Sequence, residues 1–142
     1  MDLLMDILNV AIYSAIGIVL MLIGNFLIDL IVPCSFPEEV KKGNTAVGWL
    51  SAGSFIGIGT ILRAAITSPS AESTEGLLEG IGSSALYFAV GVIFFMIGYI
   101  VVNIFNKQYN LNDEIGKGNP AAGIVVFGIF VGLGIVISGV IA

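Results

Sequence analysis

Four apolar stretches divide this sequence, at roughly 7–32, 45–66, 83–105 and 120–142. Each is close to the ~20 residues that a helix needs to cross ~30 Å of hydrocarbon. Of the 142 residues, 57% are hydrophobic and only 11% charged, whereas a soluble domain carries about 25% charged residues. The four stretches account for that difference and leave no room for a separate soluble domain. The reading is an all-α membrane protein with four transmembrane helices.

The second and fourth stretches are related. Residues 39–67, EVKKGNTAVGWLSAGSFIGIGTILRAAIT, return 75 residues later as EIGKGNPAAGIVVFGIFVGLGIVISGVIA at 114–142, with 11 of 29 aligned positions identical. Apolar, glycine-rich helices match one another cheaply. The polar junction does not: Glu39, Lys42, Gly43 and Asn44 recur as Glu114, Lys117, Gly118 and Asn119, at the same distance from the same glycine triplet. We therefore expect two tandem, parallel two-helix repeats with short interfacial helices, residues 1–67 and 83–142. An acidic loop at 68–82, holding Glu72, Glu75 and Glu79, would join them.

The junctions can be read residue by residue. In FPEEVKK the carboxylates come first and the ammonium groups last, which suits the dipole of a short helix at the interface. YNLNDEIGK repeats the arrangement less cleanly. Gly43 and Gly118 fit helix stops, since glycine takes a positive φ without a Cβ clash. Asn44 and Asn119 fit N-caps of the spans that follow, and Pro120 suits a first helical position. This is a re-entry into the membrane, and it needs no ligand.

Glycines mark the expected packing faces. Gly53, Gly57 and Gly59 in the second span, and Gly128, Gly132 and Gly134 in the fourth, include spacings of four that let another backbone approach. Gly17 and Gly24, like Gly91 and Gly98, are seven apart and share a face. These faces serve packing within one chain or an interface between copies.

Charge constrains partners and orientation. A net charge of −5 argues against nucleic acid, which needs clustered Lys and Arg. Lys41, Lys42, Lys107 and Lys117 fall in the first and third connections, and Arg63 alone lies on the other side. The positive-inside rule then puts loops 33–44 and 106–119 in the cytoplasm and both termini outside. The axis relating the halves would run along the membrane normal. The acidic start MDLLMD lacks the basic region of a secretory signal, so the first span reads as retained.

Polar groups within the spans are few. Asn25 and Asp29 are i,i+4 on one helix face, and Tyr99 and Asn103 are their counterparts. An intramembrane ionisable group is a functional candidate. Asp29, one turn before Pro33, can also sit at headgroup level, bonded to the Gly43–Asn44 turn; the alternative is a water-lined or proton-handling site. Arg63 stands about 27 Å beyond Thr45 along a helix, near the opposite interface, where its side chain can snorkel; it cannot pair with Asp29 in the same subunit. Trp49, Tyr13 and Tyr87 read as interfacial aromatics. Cys34, the single cysteine, reads as a free thiol or a site of reversible acylation. Without histidine, neither a Ser-His-Asp arrangement nor an H-E-x-x-H site is possible. No catalytic residue, cofactor site or metal site is expected, and the chain does not read as an enzyme.

The run Gly24-Asn25-Phe26-Leu27-Ile28-Asp29, the stretch Glu39 to Asn44 with Thr45-Ala46, and the echo through Asn119-Pro120-Ala121-Ala122 together resemble the YjfL-like family of small four-span membrane proteins. The resemblance covers nearly the full length. It implies a plasma (inner) membrane protein with two tandem two-span repeats and supplies no established activity. It also implies a membrane-scaffold or membrane-stress protein as a partner. Two functional expectations follow. The first is an oligomeric, membrane-organising component that docks partners at its two cytoplasmic turns. The second is a small channel lined by Asn25, Asp29, Tyr99 and Asn103.

Overall fold

In the bilayer core no water can satisfy a backbone N–H or C=O, so an apolar chain of this kind must bond its backbone internally. The computed structural model describes residues 2–32, 35–68, 76–105 and 111–141. In these residues the solution is all-helical and contains no strand: α1 (Leu3–Ile31), α2 (Phe36–Lys41), α3 (Thr45–Ile66), α4 (Leu77–Phe105), α5 (Leu111–Gly116) and α6 (Pro120–Ile141). Helices α1, α3, α4 and α6 are long and apolar enough to span a membrane. With 22 residues each, α3 and α6 are about 33 Å long. At 29 residues, α1 and α4 reach about 43 Å.

Two boundaries differ from expectation. The first span begins at Leu3 rather than near residue 7, and the third at Leu77 rather than 83. Residues 77–82, expected in the acidic loop, are therefore helical. No proline interrupts this segment, and Glu79 lies in the first turn, where the helix dipole favours a carboxylate. Glu72 and Glu75 lie outside the described residues.

Helix α3 is the centre of the bundle. It runs beside α6 in the same direction, with Ala46 against Gly123, Gly53 against Phe127, and Gly57 against Phe130 and Gly134. Helix α1 packs on α3 in the opposite direction, Gly24 facing Ile58 and Gly17 facing Leu62. Helix α4 likewise opposes α6, with Gly98 against Leu133 and Gly91 against Ile141, and it also reaches α3 through Phe95 and Gly57. Val47, Leu50, Ser54, Ile58, Ile61 and Ala65 of α3 are fully enclosed. Phe95, Phe130 and Tyr99 form a ring stack beside them, with centroids 5.0 and 4.9 Å apart. Phe26, Leu30, Phe94, Phe105 and Val140 point outward, as lipid-facing residues do.

Lipid tails are as apolar as leucine, so close packing rather than water exclusion holds such helices together. Four glycines make the α3–α6 seam that close. A Cβ on Gly53 would lie 2.8 Å from the Phe127 Cα, on Gly57 2.7 Å from the Phe130 oxygen, on Gly123 2.5 Å from the Ala46 oxygen, and on Gly134 2.6 Å from the Gly57 Cα. Within one chain, only part of each glycine triplet serves this packing. At Gly128 and Gly132 a Cβ would meet nothing within 4 Å, and at Gly59 only the Met21 Sδ at 4.0 Å. The reason is angular. Residues two apart on a helix are separated by about 200°, so Gly57 and Gly59 cannot share a face, nor can Gly132 and Gly134. Gly123, outside the triplets, completes the seam instead.

Candidate functional site at the paired helix junctions

Each short helix ends in the same device. Gly43 has φ +80° and donates to the Val40 carbonyl, and Asn44 donates its backbone N–H to the Glu39 carbonyl. At the second junction Gly118, also at φ +80°, donates to Ile115 and Asn119 to Glu114. These paired i−3 and i−5 bonds are a Schellman stop. The asparagine that closes the short helix then opens the long one. Asn44 Oδ1 accepts from the Val47 N–H at 3.2 Å and Asn119 Oδ1 from the Ala121 N–H at 3.1 Å, which satisfies otherwise free N-terminal amides.

The repeated glutamate and lysine complete each junction. Asn44 Nδ2 donates to Glu39 Oε2 at 3.0 Å, and Asn119 Nδ2 to Glu114 Oε2 at 2.8 Å. Lys42 lies 3.6 Å from Glu39 and Lys117 3.8 Å from Glu114. The Asn44 amide holds the Glu39 carboxyl below the ordinary glutamate range; partial desolvation opposes this and the Lys42 ammonium reinforces it.

The two junctions also meet. Asn44 Nδ2 donates a second hydrogen bond, 3.0 Å, to the Ile115 carbonyl 71 residues away. Between them lies an open cleft of about 340 Å³, lined by Glu39, Lys42, Asn44, Thr45, Lys117 and Gly118. Below it, Phe36, Leu111 and Ile115 are buried and seat α2 and α5 on the bundle. Both lysine side chains stay about 70% exposed. The arrangement offers a polar surface with two cations and two carboxylates in fixed order, suited to recognising a charged or polar partner.

The polar residues of the spans are engaged elsewhere. Asp29 Oδ1 accepts the Phe36 N–H at 3.1 Å. The expected bond from Asp29 to the Gly43–Asn44 turn is therefore corrected: that turn closes through Glu39, while the first amide of α2, which has no partner within its helix, bonds Asp29. Asn25 Oδ1 accepts from Ser54 Oγ at 2.9 Å, tying α1 to α3. Tyr99 is buried and its hydroxyl donates to Asn112 Oδ1 at 3.3 Å, tying α4 to α5. Asn103 is half-buried one turn further along α4. Each of the first three thus bonds a different partner. Arg63 is exposed and has no ion-pair partner among the described residues. Cys34 and Lys107 lie outside the described residues.

Ser54 and Asn112 are polar partners that the sequence does not single out. Ser54 stands next to Gly53 in the small-residue face, which hints at a buried position, but its pairing with Asn25 is visible only once α1 and α3 are packed. Among the described residues no group of three or more His, Cys, Asp or Glu side chains is placed to hold a metal ion.

Four apolar spans joined by two short junction helices define a multi-pass integral membrane protein. Within that class, the chain belongs to the family described as Domain of Unknown Function (DUF350), which it matches over residues 2–141. It is similar to the UPF0719 transmembrane protein YshE of Bacillus subtilis (strain 168), 24% identical over 133 residues that cover 94% of this chain and 92% of that protein. It is also similar to a UPF0719 transmembrane protein of Aquifex aeolicus (strain VF5), 26% identical over 129 residues, 90% of this chain. That alignment spans 47% of the Aquifex protein, about half its length. No solved structure matches.

Proposed function

We propose that this chain is a non-enzymatic, oligomeric integral membrane protein of the plasma (inner) membrane that organises the bilayer together with a membrane-scaffold or membrane-stress protein. It is built from two tandem two-span units, and the narrower YjfL-like label goes with this reading. Both junctions face the cytoplasm, and both termini lie outside. The observation that carries the proposal is the joining of the two polar junctions through Asn44 and Ile115, which concentrates the chain's repeated charges on one surface.

What weighs against the channel reading is that Asn25, Asp29 and Tyr99 spend polar atoms on internal helix-to-helix bonds. Glu39 and Glu114 support the asparagine caps, so replacing them would disturb the fold. The Lys42 and Lys117 side chains are largely exposed and pair with Glu39 and Glu114. Lys42→Gln with Lys117→Gln should abolish partner co-purification while shifting thermal unfolding only slightly, since exposed ion pairs add little to stability. Undiminished co-purification by a folded double variant would sink the docking surface. Selective ion flux through wild-type liposomes, altered by Asp29→Asn, would revive the channel.

A further inference from the structure

The α3–α6 contact is one-sided. Helix α3 offers the face Ala46–Leu50–Gly53–Gly57, and α6 offers Gly123–Phe127–Phe130–Gly134. In the alignment of the two halves, the counterparts of the α6 face are Gly48, Ala52, Phe55 and Gly59 on α3. The counterparts of the α3 face are Ala121, Val125, Gly128 and Gly132 on α6. A twofold contact would have used one face from both helices. This contact uses unlike faces, so each helix keeps the half that its sequence relative employs.

The spare half of α6 is open, and that of α3 is exposed at Gly48 and Ala52 and half-buried at Phe55 and Gly59. Ala121, Val125, Gly128 and Gly132 are exposed, and a Cβ at Gly48, Gly128 or Gly132 would meet nothing within 4 Å. Along the spare face of α3 run two cavities. One of about 530 Å³ lies between α1 and α3 and is bordered by Tyr13, Gly17, Met21, Gly59 and Arg63. The other, about 270 Å³, is lined by Thr45, Gly48, Trp49 and Ala52. In the second half the corresponding groove, between α4 and α6, is filled by α3. There Gly91 faces Ile61, and Phe95, the counterpart of Met21, meets Gly57. The α1–α3 groove is the equivalent position in the first half.

We propose that the occupant of this groove is α6 of a second copy of this chain, seated by its Ala121–Val125–Gly128–Gly132 face on the Gly48–Ala52–Phe55–Gly59 face of α3. This deepens the oligomer in the proposed function and rests on the tandem two-span reading. The interface is heterologous, joining unlike surfaces head to tail. It repeats from copy to copy and closes into a ring if the rotation allows. All copies cross the membrane in one sense, so every polar junction lies on the same side.

The intramolecular contact supplies the test. Trp49 and Phe127 pack edge to face at 5.4 Å, and their counterparts are Ile124 and Ala52, both exposed. In a Cys34→Ser background, separately tagged Ile124→Cys and Ala52→Cys copies are co-expressed, and the membranes are treated with a short bis-maleimide. The expected result is cross-linking between unlike variants only, and a ladder of multimers when both changes are in one chain. Gly128→Leu should erase that ladder while leaving the Trp49 emission of the folded monomer unchanged. Cross-links between like variants, no cross-links, or a ladder indifferent to Gly128→Leu would each overturn the proposal. Native mass spectrometry separates the two levels: multimers without these cross-links refute this geometry alone, whereas a monomer refutes the oligomer as well.

Discussion

Gly48 and Gly123 occupy equivalent positions in the aligned halves, yet the fold treats them oppositely. A Cβ on Gly123 would stand 2.5 Å from the Ala46 oxygen, 2.6 Å from its Cα and 2.9 Å from its carbonyl carbon. All three are backbone atoms, so no rotamer change can relieve the overlap. To restore ordinary contact, α3 and α6 must part by about 1 Å, a gap that forfeits a quarter to a half of each dispersion well along the seam. Overpacking of this kind costs about 1–3 kcal/mol. At Gly48 the added methyl meets nothing within 4 Å, and alanine gains up to about 1 kcal/mol over glycine in a helix. Gly123→Ala should therefore lower stability and Gly48→Ala should hold or raise it. Trp49, the sole tryptophan, rests on Phe127 of α6 and reports the opening of this seam. Denaturant titration of its emission, in micelles dilute enough to hold one chain each, gives both midpoints. If Gly123→Ala matches the wild type, or Gly48→Ala is equally damaging, the seam geometry is wrong.

Other consequences follow from single bonds. Asn44→Ala should cost more than Asn119→Ala: each loses a cap worth about 1 kcal/mol, but Asn44 also loses its bond to Ile115, worth about 1 kcal/mol more. Equal midpoint shifts would contradict the link between junctions. Gly43→Ala should cost about 1–2 kcal/mol through its left-handed φ, and Gly43→Asn clearly less; identical losses would argue against that strain. Asp29→Asn keeps an oxygen for the Phe36 amide and should unfold like the wild type, whereas Asp29→Ala should lose about 1 kcal/mol. Equal damage from both would point to a role for the charge. The Glu39 carboxyl is held below its ordinary range, so its contribution is complete above that range and fades as pH falls through the lowered value. The unfolding midpoint should drop below about pH 4.3, and less in Glu39→Gln than in the wild type.

The four spans could be read from the sequence alone, because each apolar run is long enough to cross a bilayer and must be helical to satisfy its backbone. So could the junction chemistry. Gly43, Gly118, Asn44 and Asn119 act on neighbours within five residues, so local spacing was enough to read them. The rest depends on which face of a helix meets which neighbour, and only the packed fold settles that. Composition gave no way to tell Gly57, wedged against α6, from Gly59, two residues and about 200° away. Nor could spacing pair Asn25 with Ser54, or Asn44 with a carbonyl 71 residues on, since those distances close only after helices dock. The two halves carry matching residues, but one α3 can seat only one α6 on a given face. Matching sequences therefore end in unlike environments, and that asymmetry is a property of the packing alone.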